Sequence, residues 1–162
     1  MNKFAQHLRG QGATEYLVLL AVVLIVALVS IALLGFFPGL ASDAQITQSA
    51  AYWKSARPFA ILEHSATVSP ANVTLVIQNI DSTGPITISN INVSTASGTS
   101  DVLAGSYILA SGDTKSYSIP LTGIIPGDVG SVYSLNVKIA YTTQYGTANT
   151  QFGSKPIIGK YS

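Results

Sequence analysis

Two stretches of the chain differ in how their apolar residues are spaced. Residues 16–37, YLVLLAVVLIVALVSIALLGFF, run for 22 positions without a charge, and Ser30 is the one aliphatic hydroxyl among them. As a helix this run is about 33 Å long at roughly 1.5 Å per residue, enough to cross a bilayer hydrocarbon core of about 30 Å. A helix buried in a soluble core normally keeps a polar stripe, and none is present here. From Phe59 onward the period changes to two. Tyr133, Leu135, Val137, Ile139 and Tyr141 alternate with Ser134, Asn136, Lys138 and the neutral Ala140, the pattern of a half-buried strand. Val73, Leu75 and Ile77 alternate in the same way, as do Tyr117, Ile119 and Leu121. Ile86 and Ile88 share one phase while Ile91 and Val93 take the other, which predicts a bulge near Ser89-Asn90.

Between these stretches, residues 38–58 are less apolar but still helical in character. Pro38-Gly39 is expected to kink or locally melt the helix, because proline removes a backbone donor and crowds the preceding turn. Beyond it Ile46, Ala50 and Trp53 fall on one helical face suited to packing on a sheet, and Arg57-Pro58 marks the helix end. Turn signals recur at Ser82-Thr83-Gly84-Pro85, Ser97-Gly98, Ser111-Gly112-Asp113 and Pro126-Gly127-Asp128. No internal repeat of fixed period is present. The expected class is therefore α+β: a long N-terminal apolar helix over 11–57, bent near Pro38, followed by an antiparallel β-sandwich or barrel-like head over 58–162.

Composition narrows the functional classes. Charged residues make up 9% of the chain, and Ser plus Thr number 33, so uncharged polar groups cover the surface; an ordinary soluble domain is about a quarter charged. A formal net charge of +1, with basic residues scattered singly, offers no field for nucleic acid. The absence of cysteine removes disulfides, thiolate metal sites and cysteine nucleophiles. His64 beside Glu63 reads as a strand-surface residue, and Asp81, Asp101, Asp113 and Asp128 read as turn caps rather than calcium ligands. Trp53 and the tyrosines at 107, 117, 133, 141, 145 and 161 read as core and sheet-face residues. With no nucleophile–base set and no phosphate-cradling glycine loop, the sequence predicts neither an enzyme nor a metal or cofactor site. Asn72-Val73-Thr74 and Asn92-Val93-Ser94 are candidate N-glycosylation acceptors.

The informative junction is Arg9-Gly10-Gln11-Gly12-Ala13-Thr14-Glu15-Tyr16-Leu17-Val18-Leu19. A lone carboxylate, Glu15, stands at the head of the uncharged run, and burying an ionised carboxylate without a partner costs several kcal/mol or more. A short basic leader, MNKFAQHLRG, precedes it. A conventional secretory signal is cut after its apolar run, but Pro38-Gly39-Leu40-Ala41 is a poor small-residue cleavage signal and Leu40-Ala41-Ser42 a weak one.

These residues resemble the class III signal peptide of archaeal type IV pilins: a basic leader ending in Gly, then Gln, a small residue two positions on, Glu four positions on and Leu eight positions on, here Gly10, Gln11, Ala13, Glu15 and Leu19. Ala13 stands where the family usually has Ser. Residues 42–59 also look like the helix-to-head region of such pilins, whereas over the β-rich part the resemblance is one of architecture only. The resemblance implies that a membrane-embedded prepilin peptidase cuts between Gly10 and Gln11, before the apolar run, so that residues 1–10 leave and the run stays. Loss of Lys3 and Arg9 takes the formal charge from +1 to −1, six basic against seven acidic residues. It also implies an assembly ATPase, a membrane platform protein and identical neighbouring subunits as partners, and a surface filament as the destination of a membrane-inserted precursor. Glu15 then has two roles open to it, complementing the helix macrodipole, by roughly 0.3–1 kcal/mol, or pairing with the new amine of a neighbour; cyclisation of Gln11 would remove that amine. An archaellin-like subunit and a monomeric membrane-anchored surface binding protein are the rival expectations.

Overall fold

The computed structural model describes the backbone from Phe4 onward and the side chains of residues 12–34 and 40–162. One helix, α1, runs over Phe4–Ser55, followed by eight strands: β1 Phe59–Val68, β2 Ala71–Asn79, β3 Ile86–Ser94, β4 Ser100–Leu109, β5 Thr114–Pro120, β6 Val132–Thr143, β7 Ala148–Phe152 and β8 Ile157–Lys160. The class is α+β, as the spacing of apolar residues predicts. The chain divides into two compact units that meet at Ser42/Asp43, so the last turns of α1 belong to the β-rich unit.

The helix begins earlier than the sequence suggests, at Phe4 rather than near residue 11. Nothing in Phe4–Gln11 stops a helix: Ala, Gln, Leu and Arg are good formers, and Gly10 and Gly12 cost only about 1 kcal/mol each, which the flanking turns offset. Helical backbone is continuous through Pro38, so no segment melts there; the expected bend lies outside the described residues. The helix ends at Ser55, two residues short of the expected 57, with Ala56 N–H reaching Trp53 O at 3.4 Å. Pro58 carries no N–H and biases Arg57 away from helical backbone.

In the β-rich unit, an antiparallel three-stranded sheet runs β1-β2-β5. The second sheet runs β4-β3-β6-β7, with β8 on the N-terminal part of β6. The sheets are sandwich-like and not closed. Inward residues of both share one core with Trp53: Ile61, Val73, Leu75, Ile77, Tyr117 and Ile119 from the first sheet, and Ile88, Ile91, Leu135 and Ile139 among those from the second. The bulge predicted near Ser89-Asn90 is present between Ile88 and Asn90 in both ladders of β3. It returns Ile91 and Val93 to the core after the change of phase.

Polar side chains hold the seams where strands do not pair. Gln151 of β7 accepts from Phe59 N–H at 3.0 Å and donates to Phe59 O at 2.8 Å, standing in for a strand partner along the start of β1. Ser49 of α1 donates to Pro156 O at 2.7 Å and accepts from Ile158 N–H at 3.2 Å, covering the edge of β8. Trp53 Nε1–H donates to Lys155 O at 3.0 Å. A Cβ on Gly153 would lie 2.2 Å from Trp53 Cζ2, and one on Gly159 would lie 2.5 Å from the Tyr133 hydroxyl oxygen, so each glycine seats an aromatic ring.

Candidate functional site

The feature with no counterpart in the core is the segment Gly12–Leu34. It is 23 residues of helix with a mean hydropathy of 3.4, long and apolar enough to cross a membrane, and none of it is buried within the chain. Leu19, Ile25, Ile31 and Leu34 are all largely solvent-facing. At roughly 25 cal/mol per Å² of apolar surface, this segment carries the largest unrealised burial energy in the described molecule. Beyond Tyr16 its one polar side chain is satisfied locally: Ser30 Oγ donates to Val26 O at 2.7 Å, one turn back. From Leu17 to Leu34 the segment therefore has no side-chain hydrogen-bonding demand left open in an apolar surrounding, whereas Glu15 at its start does.

Glu15 opens this segment. One turn separates Glu15 from Leu19, which places both on one helical face with Val18, and Thr14, Glu15, Val18 and Leu19 line one shallow concavity. Ala13, two positions from Glu15, is also exposed. The surroundings of Gly10 and the Gln11 side chain lie outside what is described, although the helix extends through both positions. Among the described residues the only ion pair is Lys160–Asp43, at 3.4 Å, so no described cation neutralises Glu15.

The two candidate glycan acceptors are not near each other in the fold. Asn72 lies on β2, in register with Thr67 and Pro120, and Asn92 lies on β3, in register with Val102 and Lys138. Each follows or precedes a fully buried valine, Val73 or Val93, which places the asparagines on the outward faces of the two different sheets.

Three sequence readings change. Asp101 is a strand residue of β4, not a turn cap, and is 5% exposed. Its carboxylate accepts from Thr122 Oγ1 at 2.7 Å and from Gly123 N–H and Ile124 N–H at 2.8 Å each. Burial alone would raise its pKa; the Ile124, Gly123 and Thr122 donors outweigh that and hold it below the ordinary value. His64 is half-buried rather than on the surface, because a bulge between Ile61 and Glu63 turns it toward Tyr133, whose hydroxyl shares a 2.7 Å hydrogen bond with Nδ1. Burial depresses the His64 pKa, while burial and then the neighbouring Tyr161 push Tyr133 up to about 12. Tyr145 is 82% exposed on the β6–β7 turn, so it is no core residue. Among the described residues no three His, Asp or Glu side chains come together as a metal set.

The chain matches no known family model, and no curated protein is significantly similar to it.

Proposed function

We propose that this chain is a structural subunit of an archaeal type IV adhesion pilus, which polymerises through its N-terminal helix once a prepilin peptidase has removed residues 1–10. The observation that supports this reading most is Gly12–Leu34, an apolar helix without cover among the described residues, joined to a head that has a core of its own. Water is an unfavourable medium for that helix, so it requires lipid or other apolar helices. Lipid serves before assembly. After extraction by the assembly ATPase and platform protein, equivalent helices of neighbouring copies take its place. A head-to-tail contact of this kind does not close, and it extends into a fibre.

Glu15 sits where such a bundle would hold a charge, and pairing with the new amine at Gln11 of a neighbour would fix axial register. Asn72 and Asn92, on outward sheet faces, serve in this reading as glycan acceptors on the filament exterior. The subunit is not an enzyme in this reading and needs no cofactor.

Isolation of surface filaments followed by N-terminal analysis of their main protein tests the proposal. A mature chain beginning at Gln11 is the expected result. Retention of Met1, or a start after residue 37, would support the monomeric anchored or secreted alternatives and remove this one.

A further inference from the structure

The head displays a second apolar feature, on the loop between β5 and β6. At the start of the loop, buried Asp101 fixes Thr122, Gly123 and Ile124 through its three hydrogen bonds. At its end, Gly130 N–H donates to Tyr161 O at 2.8 Å and Tyr161 N–H donates to Ser131 O at 2.9 Å. Between these anchors Ile125 is 89% exposed and Val129 is 72% exposed, and Val132 just beyond is exposed as well. Loop tips are ordinarily polar and mobile. Here the loop is tied at both ends, by Asp101 before Ile125 and by Tyr161 after Val129, and two β-branched aliphatic side chains between the ties stand out in water. A partner that binds them does not have to order the loop, which removes a cost of association.

Register places this tip within the head. Val132 pairs with Lys160, and Lys160 Nζ lies 3.4 Å from the carboxylate of Asp43, the first residue of the head unit. Farther along, Ser49 meets Ile158 and Trp53 meets Lys155, so α1 runs antiparallel to β8. The tip therefore lies at the same end of the head unit as Asp43.

We infer that the Ile125–Val129 tip is a contact between copies of this chain, packing on the exposed apolar helix of a neighbouring subunit. The inference rests on the filament reading and adds to it where the head meets the bundle. Charge selects this occupant over a phospholipid surface. Residues 121–131 contain no Lys or Arg, and their only charge is the carboxylate of Asp128; Lys160 nearby is already paired with Asp43. The tip itself offers no cation to lipid phosphates, whereas Gly12–Leu34 is apolar and uncharged but for Glu15 at its start.

The test is the Ile125→Ser/Val129→Ser double variant of the full chain. Processing, membrane insertion and the thermal midpoint of the head should match wild type, while filament yield falls at least tenfold. Filaments of wild-type yield and heat resistance overturn the inference and leave the filament reading intact, whereas a wild-type chain that makes no filaments overturns both. Because the chain lacks cysteine, Val129→Cys can also be combined with single cysteines placed in turn from Ile25 to Leu34. Disulfide-linked subunits at positions along one helical face are expected, and no link at any position overturns the contact. A polarity-sensitive probe on Val129→Cys should report water in the unassembled, membrane-inserted subunit; a lipid-like signal there assigns the tip to the bilayer and overturns the inference.

Discussion

Two parts of one helix meet opposite fates. Along 43–55, α1 is amphipathic. Trp53 is fully buried, Ser49 bridges two backbone groups of the β8 segment, and Thr47 and Lys54 face outward. Along 12–34 the helix is more hydrophobic by far, yet nothing among the described residues covers it. Burial is thus not assigned by hydrophobicity alone. The segment that packs on the sheets is the one with polar groups able to satisfy the edges it covers. The segment without them has no use for a sheet edge, and suits only a surrounding as apolar as itself. The head has a core of its own without 12–34, whereas 12–34 finds no cover among the described residues and in the proposed reading takes it from lipid or other copies.

The largest effect that separates the two regions is expected from Trp53→Ala. Truncating a fully buried aromatic costs about 3–5 kcal/mol, so the head should unfold at much lower denaturant concentration, measured by far-ultraviolet circular dichroism, while the 12–34 segment still inserts in membrane. Asp101→Ala comes next. It strands buried donors at about 1–3 kcal/mol and loosens the 122–124 turn. In wild type the Asp101 carboxyl is held below its ordinary value of 3.8, so the folded head binds fewer protons there than the unfolded chain. That contribution is complete above pH 3.8 and is lost as pH falls through the lower folded value; acid titration of the variant should lack this component.

Gly153→Ala should cost about 1–3 kcal/mol by overpacking, because its new methyl would stand 2.2 Å from Trp53 Cζ2. A double-mutant cycle with Trp53→Ala should show the glycine effect largely gone. Glu15→Ala should leave the thermal midpoint of the head unchanged and lower filament yield; a yield equal to wild type would remove its assembly role. The smallest effect is expected at His64. Its depressed pKa means that the unfolded chain takes up a proton first as pH drops below 6.5, so the head loses stability from there through the folded value and is unaffected above. His64→Gln should flatten that slope in chemical denaturation followed from pH 7.5 to 5.

Much of the fold was legible because period-two spacing survives where strands are half-buried: β2, β5 and β6 follow their alternation, and even the bulge of β3 showed as a change of phase between Ile88 and Ile91. The seams were not legible. Ser49, Gln151 and Asp101 are polar residues whose burial depends on which backbone groups lie opposite them, and no local pattern encodes a partner 107, 92 or 23 residues away. Gly153 and Gly159 likewise read as ordinary loop and strand glycines until the rings of Trp53 and Tyr133 are seen against them. Of the candidate site, the charge-free run and its leading Glu15 were readable directly, since lack of internal cover follows from the lack of a polar stripe. The exposed β5–β6 tip was not, because Ile124 and Ile125 are the same residue type in sequence, and only the fold shows Ile124 buried and bonded to Asp101 while Ile125 stands out.

The most direct measurement is the size and subunit mass of the exported protein in detergent-free buffer, by sedimentation and intact-mass spectrometry. A shared helix requires large particles whose subunits contain Gly12–Leu34. A monodisperse single subunit from which that segment is missing would contradict it.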